Sequence, residues 1–430
     1  MPNHKYQNRS WLAFAAEASI GEAPADWGTG VHFEHLGCDV SGVKANLVVD
    51  GTMETMSKAQ NKRARLKGPR GVDWSFRTKC HGLGATAAED AQAATEYLGT
   101  LLGWALGGTS RSYRRAVASA ADAHTITVGA GKTTGFAVGQ VVWVQDLTSP
   151  SAANAGKPHA RQIVSVDGGT DTIELHADLP FVPASGDVIY AATTNFLDED
   201  VLEDAAANDA TMAFFHKRTS GDTDTLYQMV GSVANLSIAN LGKGQAPEFA
   251  FSVMSANFKH SGEDSLTEPT LAAIVGRPAL VNGPDVTCLL MEYGSTTPIK
   301  VHVRDVAIET GVTRTREETT TEVYEGVEGL STYSAQYGDT KATMTLATYD
   351  PAFYGGMSID KEYSLLLYNP GPGTNAAKGW AIMLPRVVLT ATPGMVNGTA
   401  TLGTQLEFCA LIPDTGDTEI ATSPILISRC

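Results

Sequence analysis

The 430-residue chain has no close pair of cysteines: Cys38, Cys80, Cys288, Cys409 and Cys430 lie far apart, are odd in number and form no CxxC. This spacing argues against a disulfide framework or a zinc site and reads as reduced thiols, mostly buried. Long apolar runs are also missing. Near the start only Trp11 to Ala16 is continuously apolar. That run is too short to cross a bilayer and lacks the layout of a secretory leader, so no membrane contact and synthesis in a cytoplasm are expected. Positive charge is scarce, with 31 Lys and Arg against 47 Asp and Glu, a formal net charge of -16. A protein that grips nucleic acid through phosphates needs a basic face. An acidic wall would instead repel phosphate and let a duplex slide past, although acidity for solubility is the plainer reading.

Catalytic motifs are lacking too. Gly129-Ala130-Gly131-Lys132-Thr133-Thr134 has the end of a phosphate-binding loop, but the required first glycine is replaced by Ile126, and a strand follows where a helix should. The segment therefore reads as a hairpin turn. The ten histidines are scattered, and His32, His35 and His81 belong to no ligand spacing. Neither Gly108-Thr109-Ser110 nor Gly231-Ser232 makes a GxSxG elbow. Asp198-Glu199-Asp200 and Glu317-Glu318 sit in polar runs, and Asp198–Asp204 lacks the spacing of a calcium loop. No enzyme activity, cofactor or metal is expected.

What the sequence does hold is strand. Glycine is abundant at 43 residues, and Val, Thr and Ala runs alternate with turns. In VDWSFRTKC, Val72, Trp74 and Phe76 point one way and Asp73, Ser75 and Arg77 the other, the period of a half-buried strand. Phe249, Phe251 and Val253 share a face in a later strand. Thr86-Ala87-Ala88-Glu89 reads as a capping box that opens a helix stopped by Gly107-Gly108, with Ala91, Ala94, Leu98, Leu101, Leu102 and Ala105 on one face.

The expected class is mainly β with little helix. Residues 1–35 read as an N-terminal arm ordered by a neighbour. Residues 36–111 and 196–262 form a first module, split by a small β-barrel of five strands at 112–195. Residues 263–284 are a linker with a short helix near Leu271–Val275, and 285–430 form a second module. The modules share a plan. Asp39-Val40, a charged stretch, Gly71 and VDWSFRT match Asp305-Val306, a charged stretch, Gly338 and DTKATMTLA, where Ala342, Met344 and Leu346 alternate. VGSVANLSIANLGKGQAPEFAFSV closes the first and WAIMLPRVVLTATPGMVNGTATLGTQLEFCALI the second. The second module has only DPAFYGGMSI in the place of the helix.

The succession GPRGVDWSFRTK, a helix ending LLGWALGG, and GSVANLSIANLGKGQAPEFAFSV resembles tail-tube proteins of tailed bacteriophages. The resemblance covers 36–110 and 226–260 best, 300–412 more loosely, and 112–195 not at all; that insert is more like a decorating domain on the outside of a tube. The resemblance implies small β-sandwich modules that close in sixes into a ring, with rings stacked around a tape-measure protein. Such a tube would meet terminator and distal tail proteins at its ends and later pass the genome without reading its sequence. Two modules per chain imply a ring of three chains, with six chains the rival. Candidate contacts between copies are Lys58, Lys62, Arg63, Arg65 and Lys67 in one charged stretch and Arg314, Arg316, Glu317, Glu318 and Glu322 in the other. Opposite charges there could fix register between subunits, or both stretches could be solvated loops; the hairpin Asn369–Gly379 is a further candidate. Other readings are a distal tail, hub or terminator protein on the same fold, or a carbohydrate-binding adhesion protein with a ligand in the barrel.

Overall fold

The computed structural model describes residues 9–17, 21–24, 27, 31–33, 35–43, 47–49, 65–67, 71–84, 86–150, 156–203, 211–220, 223–241, 247–262, 265–270, 286–324, 327–346, 357, 359–371, 378–391, 394–397, 402–414 and 416–430. The first strands are β1 (Arg9–Ala16), β2 (Val31–Phe33), β3 (Gly37–Asp39), β4 (Leu47–Val49), β5 (Arg65–Lys67) and β6 (Val72–Lys79), followed by α1 (Tyr97–Leu106) and β7 (Gly107–Arg111). The insert then contributes β8 (Arg115–Ala120), β9 (Thr125–Val128), β10 (Val141–Gln145), β11 (His159–Asp167), β12 (Thr172–Leu175) and β13 (Val188–Tyr190). The chain returns through β14 (Thr193–Leu197), α2 (Glu199–Glu203), β15 (Met212–Ser220), β16 (Thr223–Leu241) and β17 (Glu248–His260). The second half holds β18 (Thr287–Glu292), β19 (Ile299–Val301), β20 (Val303–Glu309), β21 (Val312–Tyr324), β22 (Val327–Tyr337) and β23 (Lys341–Leu346). It ends with β24 (Glu362–Asn369), β25 (Trp380–Leu389), β26 (Gly394–Asn397), β27 (Leu402–Ala410), α3 (Glu419–Thr422) and β28 (Leu426–Arg429).

Period-two patterning becomes packing as expected. Val72, Trp74 and Phe76 are buried and Asp73 and Arg77 exposed; Phe249, Phe251 and Val253 are buried together, and so are Ala342, Met344 and Leu346. Phe76 stacks on Phe251 with ring centroids 4.7 Å apart, within the favourable range for aromatic pairs.

The strand pairings repeat. The first half pairs in the order β2-β1-β15-β16-β17-β6-β3 and the second in the order β19-β18-β24-β25-β27-β23-β20. The hairpin β4–β5 stands between β3 and β6 as β21–β22 stands between β20 and β23. β16 is continuous, whereas its counterpart is broken into β25 and β26, both of which pair with β27. This repeat corrects the expected boundary of the first module. β1 and β2 are not an arm awaiting a neighbour: β1 pairs along its whole length with β15, and Leu12 to Ala15 are buried. Of the expected linker, 263–264 and 271–284 lie outside the described residues, and so does nearly all of the DPAFYGGMSI stretch.

The insert is a closed barrel, β10-β11-β12-β9-β8-β13, with six strands rather than five. β8 is the strand that the pattern did not single out. The run read as a fifth strand is divided: Val188–Tyr190 closes the barrel and Thr193–Leu197 pairs with β7. The 129–135 segment is a turn but not the expected hairpin, since β9 and β10 do not pair with each other; Gly131 N donates to Asp171 Oδ1 at 2.7 Å.

The helix is shorter than its capping box promises. Residues 86–94 form no helix: 89–90 make a turn with Asp90 at φ 60°, and Ala93 N donates to Ser112 O at 3.0 Å and Arg114 N to Ala91 O at 2.9 Å. Bonding to residues 112–114, with a single bridge between Gln92 and Tyr113, thus outcompetes coiling. The true N-cap is Glu96, whose carboxylate accepts from Leu98 N at 3.0 Å and Gly99 N at 2.7 Å. Gly107, at φ 93°, ends the helix as expected. Glu96 also pairs with Arg429, a fully buried side chain on β28. β28 itself lies between β14 and β25, so it ties the two halves together. Glu96→Gln would leave a buried guanidinium without its countercharge, and we expect a loss of about 3 kcal/mol in chemical denaturation.

Candidate assembly interface

The two repeats meet edge to edge. The end of β16 pairs with β20 through Ser237↔Glu309, Ile238↔Ile308 and Leu241↔Val306. Ile238, Leu241, Val306 and Ile308 belong to one apolar core that runs through both repeats. Full burial of side chains of this size contributes about 1.5–3 kcal/mol each. Threonines finish the joint: Thr310 Oγ1 donates to Leu236 O at 3.0 Å, and Thr340 Oγ1 to Thr310 O at 2.9 Å.

The hairpin β21–β22 then lies back on the first repeat. Arg314 N donates to Asn235 Oδ1 at 2.8 Å, so a side-chain amide stands in for a strand partner. Tyr333 Oη donates to Gly231 O, and Tyr337 Oη to Glu199 O at 3.1 Å. Gly231 is held in the left-handed region at φ 60°, at a register shift of β16, and a Cβ there would lie 2.7 Å from that of Ala256. On its other side Gly231 N donates to Glu17 Oε1 at 2.6 Å, and the same carboxylate accepts from Gly21 N and Thr211 Oγ1. Glu17 is 7% exposed. Burial pushes its pKa up to about 7, the three hydrogen bonds opposing the shift.

By contrast, the counterpart of the β20 edge has no second strand beside it among the described residues. Among the described residues β3 pairs only with β6. Along it runs a groove of about 330 Å³ lined by Cys38, Asp39, Ser75, Arg77, Ala250 and Ser252, among others. Backbone groups on such an edge can pair with another strand. Burial raises the Cys38 thiol to about 12, which leaves it a poor nucleophile.

The charged candidates are distributed unevenly. Lys58, Lys62 and Arg63 lie outside the described residues. Arg65 and Lys67 are on β5, opposite Val49 and Leu47. Arg316, Glu317, Glu318 and Glu322 are on β21, where Arg316 pairs with Tyr333 and Glu317 with Thr332. Arg314 departs from the expectation of a projecting contact. It is 2% exposed, and desolvation lowers its pKa to about 10. Its place is inside the joint within one chain. Sequence reasoning missed Glu17, Gly231, Asn235 and Tyr333. Only the isolated carboxylate after the apolar run 11–16 offered a signal, since a charge seldom closes a buried strand without donors.

All five cysteines are free, and among the described residues no group of three or more metal-ligating side chains comes together. No described helix is long and apolar enough to cross a membrane. No protein-family model matches the chain, and no curated protein matches it.

Because Glu17 binds its proton more tightly folded than unfolded, its contribution favours the folded state most below about pH 4.5 and weakens as pH rises to and beyond 7. Glu17→Gln should flatten that part of the stability–pH curve between pH 5 and 8. The change at stake is about 3 kcal/mol, read from denaturation midpoints across the range.

Proposed function

We propose that this chain is a structural building block of a bacteriophage tail tube, assembled in the host cytoplasm and carried in the virion. The observation that carries the reading is the repeat of one strand-pairing order in two modules, already joined edge to edge inside one chain. A joint that works between modules of one chain can work between chains. The open edge of β3 is to the next copy what β20 is to β16, and the strand offered by the neighbour is the β26 end of its second module. Repeated head to tail, this heterologous contact either closes into a ring or runs on as a filament. Closure would occupy the β3 edge of every copy. The preferred ring has three chains and pseudo-sixfold symmetry. Stacked rings would surround a tape-measure protein, meet terminator and distal tail proteins at their ends, and pass the genome through a lumen that makes no sequence-specific contact.

Negative-stain microscopy of concentrated protein tests this reading. Tubes or stacked rings support it, isolated single rings favour a distal tail, hub or terminator part, and persistent monomers exclude assembly through β3. Native mass measurement of a dissociated ring should give three chains. Gly37→Lys places a charge on the open edge where a Cβ meets only Arg77 Nη2 at 3.9 Å. It should leave the melting temperature of the monomer unchanged within about 2 °C and reduce ring yield at least tenfold, as lysine does on natural sheet edges.

A further inference from the structure

Each module buries one face of its sheet in the shared core and must cover the other. In the first module the second face carries Ala15, Ala213, Phe215, Leu226 and Val230. It is covered from the connection between β1 and β2, where Trp27 packs edge-on to Phe215 with centroids 5.8 Å apart. Leu266 from the segment after β17 packs there too. In the second module the equivalent connection, between β18 and β19, is only residues 293–298 and has no aromatic beyond Tyr293. It is too short to lie over the sheet.

The uncovered face would nonetheless be fully apolar. On β24, Leu365 and Leu367 face the shared core, while Leu366 and Tyr368 belong to a separate cluster. On β25, Trp380, Ile382 and Leu384 face the core, and Ala381 and Met383 face away with the others. Strands buried on both faces need a layer on each.

That second layer is the barrel. Its interior is closed by its own residues, among them Ile126, Val142, Val144, Ile163 and Ile189. Val141, Trp143, Ala160, Val188 and Tyr190 turn outward and join Leu366, Tyr368, Ala381 and Met383. Trp143 Nε1 donates to Ser428 Oγ at 3.3 Å, and its ring leaves no room for a Cβ on Gly379, which would lie 2.9 Å away. His159 Nδ1 and Tyr368 Oη are 2.9 Å apart. Asp178 N donates to Thr296 O at 2.8 Å, so the barrel also grips the short connection that leaves the face open.

We infer that the inserted barrel is the cover of the second module's outer face and a brace between the modules, and not an appended decoration. Entering from the first module through β7 and β14 and docking on the second, it replaces the covering loop that the second repeat lacks. It also keeps that face from associating with other copies. The inference does not depend on the tail-tube reading, because it concerns contacts within one chain.

The test excises the barrel. β7 and β14 run antiparallel with Arg111 opposite Thr193, and Ser112 N donates to Ala192 O at 2.9 Å, so a two-residue turn can replace residues 113–191. The excised chain should keep the near-ultraviolet signal of Trp74 and Trp104, bind an apolar dye several-fold more strongly, and self-associate on a sizing column. Leu366→Ser with Met383→Ser in that background should reverse both gains. An excised chain that is monomeric and silent to the dye would overturn the inference. So would dye binding that the double substitution leaves unchanged. Should the excised chain lose its near-ultraviolet signal, Trp143→Ala in the full chain decides. Limited proteolysis between residues 112 and 114 should then run several-fold faster, and an unchanged rate would overturn the inference.

Discussion

The pairing of β16 with β20 is the constraint on which the rest of the architecture depends. Sheet edges are obligatory hydrogen-bonding surfaces. One edge of the second module is satisfied by the first, through Ser237, Ile238 and Leu241 opposite Glu309, Ile308 and Val306. Once that joint exists, the apolar residues of both halves form a single core, and the hairpin β21–β22 finds Asn235 and Gly231 waiting on the first module. The β3 edge has no such partner among the described residues. One chain therefore contains a finished joint and, at β3, an edge with no second strand among the described residues.

The two modules share their pairing order but differ in how they are finished. The first has a continuous β16, a covering Trp27 and the helix α1. The second has a broken counterpart of β16, a short β18–β19 connection and a barrel over its outer face. β28 completes the division of labour by sitting between β14 and β25, with Arg429 held by the Glu96 cap of α1. Duplication supplies the frame, and the inequivalent finishing makes the pair a unit with a fixed order.

Much of this frame was legible in the residues. Alternation at Val72, Trp74 and Phe76, and at Ala342, Met344 and Leu346, placed β6 and β23 because a strand with one buried face has no other way to be written. The equivalence of Asp39 and Asp305 also appears in the pairing, opposite Ser75 and Thr345 respectively. The start of α1 was not legible. Thr86 and Glu89 satisfy a capping rule, but the rule is local, and the partner that defeats it, residues 112–114, comes from the far side of the helix. β1 was missed for a similar reason, since its partner β15 lies about two hundred residues away in sequence. At the interface the visible charges proved less informative than glycine and a lone carboxylate. Arg314 is spent inside the chain, and the residues that hold the joint, Gly231, Asn235 and Glu17, act through backbone hydrogen bonds that composition does not reveal.

The central claim is that β3 is an edge left for another copy of this chain. Hydrogen exchange at the β3 amides that point away from β6 tests it most directly, compared between dilute protein and protein in its assembled form. Rapid exchange in the dilute chain and strong protection on assembly are the predicted result. Protection already present in the single chain, or an edge that stays open in the assembly, would contradict the account.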